Sequence, residues 1–289
     1  MNAEKNALRT IMLTAIAMIA FAANVVLCRL ALGEGLVDAA TFTTIKVISG
    51  AVTLSLIVLV RRRLQVFGSA NWYSGTLLFV FMVFYSFAYI SLGAGTGALI
   101  MSGTIQMTMF LFALREGEIF PLLSWAGMAL AIFGLVYLVS PGLTAPDPLG
   151  AILMAVAGIA WGLYSLFGRG TKDPLEATAG SFIYSVPLVL LVSLIFSDDF
   201  SSTSYGLALA VASGAIASGC GYVVWYAALA NLTATRAAIV QLSVPVIVAF
   251  GGVLILSEPI TLRLLLASAA ILGGLAIVLT QRPIEALRQ

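Results

Sequence analysis

The chain has 289 residues, 61% of them hydrophobic and 9% charged, with a mean hydropathy of +1.10, a usage that excludes a soluble globular protein and predicts a membrane one. Lys and Arg number 14 against 12 Asp and Glu, so no basic face is available for nucleic acid. His is absent, which removes His-based acid–base chemistry, Ser/His dyads and His-ligated metal sites.

In chain order, the apolar runs predict ten spanning helices near 8–31, 38–60, 72–92, 95–114, 120–140, 148–169, 177–196, 205–229, 233–256 and 260–281. Each is close to the length of about 20 residues that a bilayer core requires. The first run, after Lys5 and Arg9, is too long for a signal-peptide core and is read as a retained helix. Charge and turn clusters separate most of the runs: Arg61–Arg62–Arg63, Arg115 to Glu118, Pro141 to Pro148, Lys172–Asp173–Pro174, Asp198–Asp199 and Ser257–Glu258–Pro259. Two breaks, Gly93 to Gly97 and Asn231 to Thr235, carry almost no charge. Cys28 and Cys220 fall in separate apolar runs and read as packing thiols, too few for a disulfide framework or a metal site. The fold class is therefore all-α and polytopic, with no cofactor or metal expected.

Orientation follows from the basic residues. With both termini cytoplasmic, Lys5, Arg9, Arg61, Arg62, Arg63, Arg115, Arg169, Lys172, Arg236, Arg282 and Arg288 lie inside, and Arg29 and Arg263 outside. Lys46 stands within the second span. An odd number of spans would break this asymmetry, so ten is the consistent count.

Shifted by 140 residues, the chain matches itself without a gap over residues 11–138. Arg29 falls on Arg169, Phe42 on Phe182, Glu118 on Glu258 and Gly134 on Gly274. Each repeat, 1–145 and 146–289, holds five spans. An odd number makes the second copy enter the membrane inverted, the arrangement that places a site near the midplane between two alternately opening gates.

Several residues resemble the ten-helix, two-repeat EamA type of the drug/metabolite transporter superfamily. They are Trp161–Gly162 in the sixth span with Phe21–Ala22 opposite it in the first, Pro245 in the ninth, and Ser257–Glu258–Pro259–Ile260–Thr261 leading to Gly273–Gly274. The first repeat departs from the pattern, with Ile105 where Pro is expected and Ile119–Phe120–Pro121 after Glu118. Length and tyrosine placement are most similar to the exporters of aromatic and other amino acids, whose third helix lines the cavity with aromatics. That resemblance implies an inner-membrane exporter of aromatic and other neutral amino acids, with the bilayer and a small-molecule substrate as its partners.

Lys46 is the first candidate for substrate binding: its ammonium either faces a cavity, where it would receive a carboxylate, or snorkels to the outer interface along its stem. Tyr85 and Tyr89 stand four apart on the third span and share a face, as do Tyr222 and Tyr226 on the eighth. With Trp161, Tyr164 and Trp225 they either wall a substrate cavity or pack. Asn24, Gln106 and Gln241 fall mid-span, where an amide needs a protein or water partner. Pro245 frees a carbonyl and marks a hinge or a static kink. Gly206, Ala210, Gly214 and Ser218 form a small-residue ridge for close helix contact. Arg29 and Glu258 at the outer side, and Arg169 and Glu118 at the inner side, form candidate gating pairs; if they touch, reversing both charges of a pair is expected to restore activity.

No Asp or Glu falls deep within a predicted span, which favours downhill, facilitated export over proton antiport. A multidrug or small-metabolite exporter is the nearest alternative, although a buried carboxylate for lipophilic cations is missing. An intramembrane enzyme is disfavoured without His or a span Asp. A non-transport membrane protein would leave the inverted repeat unexplained.

Overall fold

The computed structural model describes residues 2–61, 72–142, 145–168, 171–232, 237 and 240–281. Arg62, Arg63, Arg169, Arg236, Arg282 and Arg288 lie outside the described residues, as does part of the predicted break at 231–235. The described residues form ten helices and no strand: α1 Asn2–Gly33, α2 Ala39–Val60, α3 Trp72–Ala88, α4 Ala94–Arg115, α5 Leu122–Val139, α6 Pro148–Phe167, α7 Pro174–Ile195, α8 Ser204–Leu229, α9 Ser243–Leu256 and α10 Leu262–Thr280. Eight are long and apolar enough to cross a membrane, while α3 and α9 are shorter apolar helices. This is a polytopic membrane protein. A helix satisfies its own backbone hydrogen bonds, which the bilayer interior demands. Large apolar side chains such as Phe133, Leu254 and Leu265 accordingly project from the outer surface of the bundle.

Local chemistry starts the helices. Asp38 accepts from the Thr41 amide at 2.8 Å to cap α2, Asp147 from Gly150 at 2.6 Å to cap α6, and Thr203 from Gly206 at 3.0 Å to cap α8. Asp173 caps α7, with Pro174 at the first helical position. The helix therefore begins before the predicted 177. It carries Glu176 in its first turn and Pro187 inside it.

Two spans differ from expectation. The predicted 72–92 ends as a helix at Ala88, so Tyr89 lies in the turn beyond α3. The predicted 233–256 is interrupted at Leu242, just before α9. Pro245 sits in the first turn of α9, where its missing N–H leaves the Gln241 carbonyl without its helical donor.

The main packing partners are α5 with α10, α2 with α7, α4 with α9, α3 with α6 and α7, α4 with α6, and α8 and α9 with α1, while α8 also packs on α2. Most of these contacts join residues before 145 to residues after it. At one end of the bundle the loops interlock: the Thr203 amide donates to Leu36 O at 2.8 Å, and the Asp38 amide donates to Ser201 O at 2.8 Å.

Candidate functional site

The centre is built on α2 and α8, whose backbones touch. A side chain at Gly214 would collide with the Lys46 carbonyl and the Ser49 hydroxyl, so the small-residue ridge permits this approach. Here α8 adopts a π-helical stretch, Ala212–Cys220. Ser213 and Ser218 stand five apart, which α-helical geometry would set about 140° from one another. The wider π turn brings both to one side chain, Asn24 of α1. Asn24 Nδ2 donates to Ser218 Oγ at 2.6 Å and to Ser213 O at 3.4 Å. Its Oδ1 accepts from Ser213 Oγ at 3.3 Å and from Lys46 Nζ at 2.9 Å. The amide is thus filled on both sides.

Lys46 does not snorkel: it is 1% exposed. Its ammonium rests 4.6 Å from the centre of the Tyr85 ring and 5.9 Å from that of Phe42, an attraction between cation and ring face. No carboxylate pairs with it among the described residues. The site therefore holds a desolvated positive charge supported by dipoles and rings alone, an expensive arrangement that an incoming anion would relieve.

A chain of aromatic rings leads away from this cation. Tyr85 packs edge-on against Tyr89 at 4.8 Å and at a tilt against Phe81 at 5.3 Å; Phe81 meets Trp161 at 4.7 Å, and Trp161 lies near-parallel to Tyr222 at 6.0 Å. Tyr222 in turn stacks on Tyr226 at 6.2 Å. At the far end the Tyr226 hydroxyl and Thr178 Oγ1 lie 2.7 Å apart, and Tyr164 Oη donates to the same Thr178 at 3.4 Å, tying α6, α7 and α8 together. Trp225 leaves this chain and packs on Ala17, Met18 and Phe21 of α1. Gln106 is half-buried on α4 and Gln241 is exposed; neither bonds to the Lys46 cluster among the described residues. Tyr89 Oη is buried without a hydrogen-bond partner among the described residues.

Arg29 and Glu258 meet at the interlocked end, with Nε 3.2 Å from Oε1. Ser257 takes a left-handed conformation at φ 54°. The Glu258 amide then bonds back to Gly252 O at 3.0 Å, and the carboxylate reaches the start of α4, accepting from the Ala94 amide at 2.8 Å and 3.0 Å. Side chains at Gly93 or Gly252 would crowd that carboxylate. Arg29 also donates from one terminal nitrogen to Tyr89 O and Ile90 O, each at 3.0 Å, where the chain leaves α3. The pair thus clasps the end of α3 and the beginning of α4, each ion complementing the local helix dipole. Glu118 is exposed; its candidate partner Arg169 lies outside the described residues.

One buried carboxylate lies outside the predicted spans. Glu176, in the first turn of α7, is buried, and with Lys46 it makes up the buried charged side chains among the described residues. The Asp173–Pro174 cap was the signal that sets the helix start early enough to include it. Two cavities, of about 300 Å³ beside Asp38 and Phe87 and about 450 Å³ between α1 and Leu232, Val240, Ser243 and Ile247, are lined by neither Lys46 nor Tyr85.

Long apolar helices around a buried cation, closed at one end by a charged clasp, have the build of a multi-pass membrane transporter. The model of the EamA-like transporter family matches residues 148–280. An uncharacterized protein of Pseudomonas aeruginosa is 45% identical over 281 residues, covering 97% of this chain and 98% of its own. The uncharacterized transporter YoaV of Bacillus subtilis is 24% identical over 250 residues, covering 81% and 85%. A solved crystal structure shares the fold with a TM-score of 0.64 at 20% identity, covering 93% of this chain and 96% of its own. The chain belongs to the EamA-like transporter family.

Proposed function

We propose that the chain exports amino acids, aromatic and other neutral ones, across an inner membrane by alternating access and without coupling to an ion. The observation that carries this reading is the buried Lys46 ammonium, held by Asn24 and Tyr85, with no carboxylate beside it among the described residues and continuous with a row of aromatic rings. The cation receives the substrate carboxylate, and the rings accept its side chain. Catalysis is no part of the proposal.

Residues 1–145 and 146–289 act as two inverted five-helix repeats with both termini cytoplasmic. Two observations support the inversion. The 140-residue offset puts Arg29 on Arg169 and Glu118 on Glu258. The main packing partners are also preserved when each helix is exchanged for the one five places away: α3 on α6 becomes α8 on α1, α4 on α6 becomes α9 on α1, and α2 on α8 becomes α7 on α3. In this reading Arg29 and Glu258 form the outer gate, Arg169 and Glu118 the inner one, and Pro245 the hinge. Gln106 and Gln241 enter the cavity only in the alternate state.

Uptake of a panel of labelled amino acids into proteoliposomes, with and without a pH gradient, tests the proposal. The expected result is saturable uptake of phenylalanine and other neutral amino acids, with a rate indifferent to the gradient. Accumulation driven by the gradient would overturn the uncoupled mechanism and turn attention to Glu176.

A further inference from the structure

We infer that the site recognises a carboxylate and a ring but no amine, so that deaminated aromatic carboxylates are ligands at least as good as the amino acids. This rests on Lys46 as the carboxylate receiver. An α-ammonium needs an acceptor, and those of the Asn24 cluster that holds the cation are engaged, which leaves it neutral hydroxyls such as Tyr89 Oη rather than a carboxylate among the described residues. Asn24 Oδ1 already takes Lys46 Nζ and Ser213 Oγ, while the Ser213 carbonyl and Ser218 Oγ take the Asn24 amide hydrogens. The other buried charge among the described residues, Glu176, stands six residues before Phe182 on α7, about 9 Å along the helix. Phe182 packs on Tyr222 at 6.3 Å, so Glu176 lies beyond the aromatic row rather than beside Lys46.

Charge balance points the same way. Empty, the centre holds one uncompensated cation. A zwitterion neutralises Lys46 but brings its own ammonium into the same low-dielectric space, leaving one positive charge unpaired. A monocarboxylate leaves none. Ring faces such as Tyr222 and Trp161 attract an ammonium, but more weakly than a desolvated ion pair binds.

Purified full-length protein is titrated with phenylalanine, 3-phenylpropionate and phenethylamine, read by tryptophan fluorescence and by displacement of labelled phenylalanine. The expected order is 3-phenylpropionate binding at least as tightly as phenylalanine, and phenethylamine weakest. Lys46→Met abolishes carboxylate binding. Asn24→Asp, nearly isosteric, supplies Lys46 with an internal counter-ion and weakens 3-phenylpropionate by on the order of tenfold. Phenylalanine binding well while 3-phenylpropionate binds more weakly overturns this inference and leaves amino acid export standing. Binding of 3-phenylpropionate alone supports the inference and removes amino acids as cargo. If neither carboxylate binds, or if phenethylamine equals phenylalanine, the carboxylate role of Lys46 falls and both proposals fall with it.

Discussion

Arg29 Nε and Glu258 Oε1 lie 3.2 Å apart, and each ion is bound at the same time to the end of a different helix. Arg29 holds the last carbonyls beyond α3, and Glu258 holds the first amide of α4. The contact is therefore a four-part clasp, with consequences different from those of a lone ion pair.

Glu258→Ala removes both the ion pair and the α4 cap, weakening the closed end by about 1.5–3 kcal/mol, or roughly ten- to a hundredfold in open population. Cys28 reports the opening. It is fully buried, precedes Arg29, and shares the Asn24 face of α1. In a Cys220→Ser background, a membrane-impermeant maleimide is expected to label Cys28 faster by that factor in Glu258→Ala. Glu258→Gln keeps an acceptor for the Ala94 amide and falls between the two.

The clasp also changes the outcome of charge reversal. Arg29→Glu with Glu258→Arg restores opposite charges but sets a carboxylate against the Tyr89 and Ile90 carbonyls and a guanidinium against the Ala94 N–H. Transport by the double variant is expected to stay near that of the single variants. Recovery to the wild-type rate would show that the ion pair alone closes this end.

The same clasp explains why the break near Gly93 was faint in the sequence. No charge marks it because its capping carboxylate comes from Glu258, 164 residues away. The membrane class and most spans were legible, since hydrocarbon length and flanking charges are local properties. Glu176 falls one residue before the predicted start at 177, although Asp173–Pro174 encodes the earlier start of α7. Asn24, Lys46, Ser213 and Ser218 were each visible as a residue type, but their union was not. It depends on a π stretch in α8, and the sequence of Ala212–Cys220 gives no periodic sign of it.

Lys46→Met is expected to abolish carboxylate transport while raising thermal stability. The Met side chain fills the same space without a desolvated charge, and such replacements often stabilise by about 1–4 kcal/mol. Thermal unfolding in detergent alongside transport checks this. A joint loss of stability and activity would make Lys46 a structural residue.

Gly214→Val forces α2 and α8 apart, because the added atoms meet the Lys46 carbonyl. It is expected to destabilise by about 1–3 kcal/mol and to disrupt the Asn24 cluster with it. Gly273→Ala is the control: the space around it is open, and the helix preference for Ala makes it neutral or stabilising by up to about 1 kcal/mol. Equal unfolding temperatures for the two variants would argue against backbone contact between α2 and α8.

Counterflow tests the central claim, a carrier that exposes Lys46 alternately to the two sides, most directly. Proteoliposomes loaded with unlabelled phenylalanine and diluted into trace labelled phenylalanine are expected to accumulate label transiently above equilibrium, and Lys46→Met vesicles are not. Simple equilibration without overshoot in wild-type vesicles would indicate a channel, and an unchanged overshoot in Lys46→Met would remove Lys46 from the transport path.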